Sequence, residues 1–165
     1  MKKIWLPLVL LPLSIGVFAK SPELSDPVKK ANQIQHVQKN VAELNKKIVV
    51  DFYNGVFTKH QVQAYSDRYI GSQYIQHNPH VPNGKAPFVN YFTQYFKENP
   101  EAKNTIKRAI AEDDLVVLHV HSTENKQDRG TAIVDIFRVE NGKIVEHWDV
   151  QQEIPKESAN TNTMF

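Results

Sequence analysis

The sequence predicts an α+β domain in which helices come first and then lie on one face of an antiparallel β-meander. Three observations predict it. Apolar residues recur at steps of three and four up to Asn99, and at steps of two after Pro100. Asn141-Gly142 joins two alternating segments, and both residues tolerate the positive φ of a tight hairpin. The chain has 165 residues, 41% of them hydrophobic and 23% charged, which suits one domain with a single core.

The first element is a targeting segment. MKK precedes the apolar run IWLPLVLLPLSIGVF, and small residues stand at Val17 and Ala19. This is the pattern of a secretory signal peptide, residues 1–19, cleaved after Ala19. Pro7 and Pro12 interrupt the run, and it is short for a membrane span, so an uncleaved anchor is the alternative. The expected location is therefore periplasmic or secreted, with no stable membrane anchor after cleavage. There is no cysteine, which excludes disulfides and lipoprotein attachment.

Residues 20–31 (KSPELSDPVKKA) are polar and read as a flexible leader. Ile34, Val37, Val41, Leu44, Ile48, Phe52 and Val56 then form one stripe of a long helix over 32–57. Thr58 can cap a second short helix through Val62 and Tyr65. Ser66-Asp67 starts a third helical turn that Gly71 breaks. YIQHNP (74–79) is extended, VPNGKAP (81–87) is a loop, and PFVNYFTQYFKEN (87–99) is an aromatic amphipathic helix stopped by Pro100. Strands follow at 105–112, 115–123, 130–139 and 143–153, and the domain closes at 155. The tail, 156–165, reads as loose.

Charge narrows the partner. The chain has 20 Lys+Arg against 18 Asp+Glu, and taking away Lys2 and Lys3 with the signal leaves 18 against 18. No basic stripe remains to neutralise phosphates, so no nucleic-acid partner is expected. GxSxG, P-loop and GxGxxG patterns are all missing, which leaves hydrolase, kinase and dinucleotide readings unsupported.

The chemistry concentrates in the strands. Alternation puts His119 and His121 on one face with Leu115 and Val117, and Asp135 on one face with Ile133 and Phe137. It puts His147, Asp149 and Gln151 on one face, with Ile144, Trp148 and Val150 on the other. If these faces converge, His119, His121, His147, Asp135 and Asp149 meet in a partly apolar hollow. Buried ionisable groups cost free energy unless paired, so such a hollow suggests a site. A curved sheet around helices has an open mouth, a natural place for a small ligand.

The order of elements and the segment VDIFRVENGKIVEHWDV (134–150) resemble the NTF2-like cone fold. With YIQHNPHVPNGKAPFVNYF (74–92), the chain resembles the SnoaL-like polyketide cyclases and their ketosteroid isomerase relatives, over about residues 32–154. The resemblance implies that Asp135 is the acid/base. It implies that His121, on the preceding strand, is its partner and that His119 lines the pocket. It also implies that His147, Asp149 and Gln151 line the pocket from the final strand, and that the chain forms a homodimer through the sheet, with Ile136, Trp148 and Val150 as candidate contacts. The chain departs from those cyclases in its extra histidines and its signal peptide.

Each site residue has two readings. Asp135 among apolar neighbours is a general base for a proton next to a carbonyl, or a buried salt-bridged carboxylate. His121 and His119 are proton donors to an enolate, or histidines with satisfied hydrogen bonds. His77 closes the pocket mouth, or its neighbour Asn78 caps a turn. Asp149 orients a histidine or binds substrate. His119, His121 and His147 with Asp135 or Asp149 hold enough donors for a metal, but no HExxH or CxxC spacing accompanies them, and neither metal nor cofactor is assigned. The expected function is a cofactor-independent cyclase- or isomerase-type lyase acting on a small apolar or aromatic carbonyl compound. A non-catalytic ligand-binding module or a dimeric scaffold is the alternative.

Overall fold

The computed structural model describes residues 27–165. The signal-peptide segment and most of the leader lie outside the described residues. The elements are α1 (Pro27–Phe57), α2 (Val62–Tyr69), β1 (Ile70–Gln76), α3 (Lys85–Glu98), β2 (Lys103–Glu112), β3 (Leu115–Thr123), β4 (Thr131–Glu140) and β5 (Lys143–Glu153). The five strands form one curved sheet in the order β1-β5-β4-β3-β2, which does not close on itself.

The meander is as the alternation predicts. β2–β3, β3–β4 and β4–β5 pair antiparallel, and Asn141 (φ 51°) with Gly142 (φ 76°) turns the last hairpin. β1 is the addition. It pairs parallel with β5 at the sheet edge, so the sheet is mixed. IGSQYIQ reads poorly as a strand, because glycine and polar residues break its apolar alternation. The segment read as two helical turns around Thr58 and Ser66 is one continuous helix, α2.

Helix α1 is 31 residues, about 46 Å at about 1.5 Å per residue. It begins at Pro27, inside the segment read as flexible leader. Its buried face is also rotated from the predicted stripe. Ala42, Asn45, Val49, Phe52, Tyr53 and Val56 are buried, while Val37 (54% exposed) and Leu44 (58%) face solvent. Only the C-terminal half of the helix enters the sheet, and there Phe52 and Tyr53 become the largest fully buried side chains. Burying one such side chain contributes roughly 1.5–3 kcal/mol. Gly55 lets α2 approach: a Cβ there would lie 2.0 Å from the Tyr65 ring.

The core sits between α1, α3 and the concave face of the sheet, where Val116, Leu118, Val120, Phe137, Val139 and Ile144 point inward. A bulge in β5 shapes this face. Arg138 pairs with Glu146 but Val139 pairs with Ile144, so Val145 is one residue extra. Ile144 and His147 consequently both turn inward, at 0% and 8% exposure, although simple alternation puts them on opposite faces. Among the described residues no helix is long and apolar enough to cross a membrane.

Candidate active site

A cavity of about 780 Å³ opens between α3 and the concave sheet face. Its apolar wall comes from Phe57 on α1 and from Phe88, Phe92 and Phe96 on α3, whose rings contact one another at 4.8–6.3 Å. The opposite wall is polar and carries Asp135 from β4 and His147, Asp149 and Gln151 from β5. Register explains the grouping: Asp135 lies across from Asp149, Phe137 from His147 and Ile133 from Gln151.

Asp135 and His147 form the buried centre. His147 Nε2 lies 2.9 Å from Asp135 Oδ1, and both residues are under 9% exposed. Tyr53 donates its hydroxyl to Asp135 Oδ2 at 2.7 Å, and Asn104 Nδ2 donates to the Tyr53 oxygen at 3.0 Å. Burial, then the Asp135 charge, pushes the Tyr53 hydroxyl well above its ordinary pKa, which keeps it a donor.

The hydrogen bonds fix the proton count. The backbone N–H of Asn78 donates to Gln76 Oε1 at 3.2 Å, which identifies that atom as an acceptor. His147 Nδ1 lies 2.8 Å from the same oxygen and therefore carries a proton. Its Nε2 faces a carboxylate oxygen. Asp135 and His147 thus hold one proton between them at that contact, as carboxylate with imidazolium or as carboxylic acid with neutral imidazole. Such a pair can take a proton from a ligand at one site and release it at another.

Asp149 is held separately. Asn78 Nδ2 donates to both its oxygens at 2.8 Å, and Gln151 Nε2 to Oδ2 at 3.2 Å. Asp135, His147 and Asp149 each offer a ligand atom within 4.8 Å of the others. One imidazole and two carboxylates are a donor set for a divalent cation. Tyr53, Asn78 and Gln151 already donate to the two carboxylates, and each carboxylate keeps a lone pair for an ion.

Tyr74 is different. Its side chain is buried at 3% exposure and lines the cavity; the Gln76 amide acts on its hydroxyl oxygen, but among the described residues the hydroxyl proton has no acceptor within hydrogen-bond distance. Burial, then the Asp135 charge, raises its pKa, and the nearby Gln76 amide offsets only part of this.

The structure separates the predicted residues. His147, Asp149, Gln151 and Asp135 come together. His119 and His121 do not join them. They lie across from Val134 and Ala132, one step out of phase with Asp135, and therefore on the convex face. Arg108 donates to His119 Nδ1 at 3.1 Å, and His121 Nε2 donates to the Arg129 carbonyl at 2.8 Å. The ring of Phe165 packs 5.3 Å from His119 and 4.6 Å from His121, so the tail read as loose returns to the sheet. The pairing of His121 with Asp135 that the resemblance implies is thereby corrected: β3 and β4 both carry apolar residues on both faces, and the inner set on β3 is Val116, Leu118 and Val120. His77 also points outward. Its Nε2 pairs with Glu146 Oε1 at 2.8 Å and its ring stacks on Trp148 at 4.6 Å.

Sequence reasoning missed Tyr53, Tyr74, Gln76, Asn78 and Asn104. The alternation in YIQHN (74–78) contains the signal for three of them, since Tyr74, Gln76 and Asn78 share the face opposite His77. Tyr53 had no sequence signal, because it lies beside the apolar stripe of a helix.

The SnoaL-like polyketide cyclase family model matches residues 47–159, and the chain belongs to that family. Solved structures with the same fold include a candidate polyketide cyclase from Acidithiobacillus ferrooxidans. It is 21% identical, with 66% of this chain and 87% of that one covered at a TM-score of 0.54. A candidate ketosteroid isomerase from Kribbella flavida is 13% identical, with 72% and 85% covered at 0.58. An NTF2-like protein of unknown function from Mesorhizobium loti is 19% identical, with 67% and 93% covered at 0.56. No curated protein matches the chain significantly.

Proposed function

We propose that this protein is an exported, cofactor-independent cyclase- or isomerase-type lyase that abstracts a proton next to a carbonyl in a small apolar or aromatic compound. The observation that carries the reading is the buried Asp135–His147 contact, with one proton between its two members, at the wall of an aromatic cavity. Asp135 takes the α-proton, and the C–H electron pair becomes the enolate. The proton then returns to a different carbon in an isomerisation. Alternatively, the enolate carbon attacks a second carbonyl of the same molecule, and His147 protonates the resulting alkoxide. Tyr53 holds the Asp135 carboxylate in place, and Gln76 holds the His147 ring. The family membership supports this class of chemistry.

Export to the periplasm or outside follows from the N-terminal pattern, and a homodimer from the resemblance. The convex sheet face supports the dimer, since Val150 is 68% exposed beside half-buried Ile136 and Trp148.

The test is α-proton exchange from an aryl methyl ketone such as acetonaphthone in heavy water, followed by mass spectrometry. Exchange above the buffer rate that Asp135→Asn abolishes supports the reading. Binding of such ketones without exchange in the wild-type chain overturns it in favour of a non-catalytic ligand carrier.

A further inference from the structure

The cavity carries a charge pattern that acid/base chemistry at Asp135 does not require. Glu124, Asp128, Asp149 and Glu153 line it against a single guanidinium, that of Arg129, while Asp135 shares its proton with His147. Arg129 Nε donates to the Ile154 carbonyl at 3.2 Å, and the Arg129 charge also acts on Asp128. No ion pair among the described residues involves Glu124, Asp128, Asp149 or Glu153. Asp128 is firmly ionised, because the backbone N–H groups of Glu124 and Gly130 donate to its two oxygens at 2.9 Å and hold its pKa down.

Aromatic rings face these carboxylates. Tyr91 and Tyr95 line the same cavity and stack nearly parallel, 11° apart with centroids at 6.1 Å. Burial raises the Tyr95 pKa first, and the charges of Glu124 and Asp128 raise it further, which places both acids near its ring. Stacked tyrosines beside carboxylates that form no ion pair attract an organic cation through ring faces and charge together. The same combination repels carboxylate and phosphate ligands.

The second, independent observation is Tyr74. Its hydroxyl is buried in the cavity wall beside the Gln76 amide and its proton meets no acceptor, and a buried donor left unpaired costs about 1–3 kcal/mol. A ligand acceptor would relieve that cost.

We infer that the cavity binds an aromatic carbonyl compound carrying a protonated or quaternary amine, with its carbonyl oxygen on the Tyr74 hydroxyl and its cation between Tyr91, Tyr95 and the carboxylates of Glu124, Asp128 and Glu153. This rests on the reading of the cavity as a carbonyl-compound site. Binding is measured without turnover, so the ligand class and the reaction fail separately.

Three acetonaphthones serve as probes, matched except for one ring substituent: trimethylammoniomethyl, hydroxymethyl or carboxylate. Calorimetry on the full chain is expected to show the cation binding roughly tenfold tighter than the neutral ketone, and the carboxylate weakest. The cation's advantage should shrink with added salt and collapse in the Glu124→Gln, Glu153→Gln double variant, while the neutral ketone's affinity stays the same. Tyr74→Phe should weaken all three ketones, and leave unchanged the matched isopropenyl hydrocarbon, which has no acceptor. Equal or tighter binding of the neutral or carboxylate probe to the wild-type chain overturns the ligand class. So does a cation preference that survives in the double variant. Equal loss of the hydrocarbon in Tyr74→Phe overturns the role of that hydroxyl.

Discussion

His147 Nε2 lies 2.9 Å from Asp135 Oδ1, and regular β4–β5 pairing sets the contact, because Phe137 lies across from His147 and Asp135 from Asp149. The Val145 bulge beside it re-aims Ile144 without disturbing the contact. It turns Ile144 into the concave face alongside His147, so that one closes the core and the other meets the carboxylate. A bulge beside a candidate site re-aims a side chain at small cost in sheet pairing.

Asp135→Asn keeps the shape and the Tyr53 hydrogen bond but removes the base. Turnover should fall by about 10²–10⁴-fold with little change in KM. His147→Gln should lower kcat while retaining a hydrogen bond to Asp135. Steady-state kinetics beside circular dichroism separate this loss from misfolding. Wild-type rates in folded Asp135→Asn contradict the mechanism.

Tyr53→Phe removes a donor from a buried carboxylate oxygen and an acceptor from Asn104. Denaturant titration should show a loss of about 1–3 kcal/mol, the cost of leaving a buried polar group unpaired. An unchanged midpoint would mean that the network does not stabilise the fold.

The convex-face histidines give the opposite expectation. His119→Ala should leave turnover within about twofold of wild type, the scale of a surface change. His121→Ala frees the Arg129 carbonyl near the cavity mouth and should alter KM more than kcat. A large drop in kcat for either variant would place that ring at the chemistry.

Alkaline pH tests the buried tyrosines. Tyr53 and Tyr74 both titrate above the ordinary tyrosine value of 10.0 in the folded chain, chiefly through burial. The folded state therefore keeps protons that the unfolded chain releases. Their contribution to stability is full below about pH 10 and is lost as pH rises above it. Of the chain's 6 tyrosines, these two should ionise only as the near-ultraviolet circular dichroism collapses. Ionisation of all tyrosines before unfolding contradicts their burial.

Much of the fold was legible in the sequence, and the site only in part. The switch of period at Pro100 and the Asn141-Gly142 turn carry the helix-then-meander order, because backbone pleat and turn sterics are local properties. The inner face of β3 was not legible. Leu115 and Val117 are as apolar as Val116 and Leu118, so alternation marks two faces without saying which meets the helices. β1 was legible only at its end, in the extended YIQHNP, because a strand stabilised by a parallel neighbour far along the chain needs little local propensity. Asp135, His147, Asp149 and Gln151 were legible as polar groups on strand faces. Tyr53 and Asn104 were not, since only tertiary packing brings α1 and β2 to the carboxylate.

The account rests on one proton shared between Asp135 and His147, and nitrogen NMR of the labelled His147 ring tests it most directly. The account predicts that Nδ1 carries a proton in the folded wild-type chain. It also predicts that Asp135→Asn shifts the Nε2 resonance to that of an unprotonated acceptor. An unprotonated Nδ1, with a proton fixed on Nε2 in both wild type and Asp135→Asn, would contradict it.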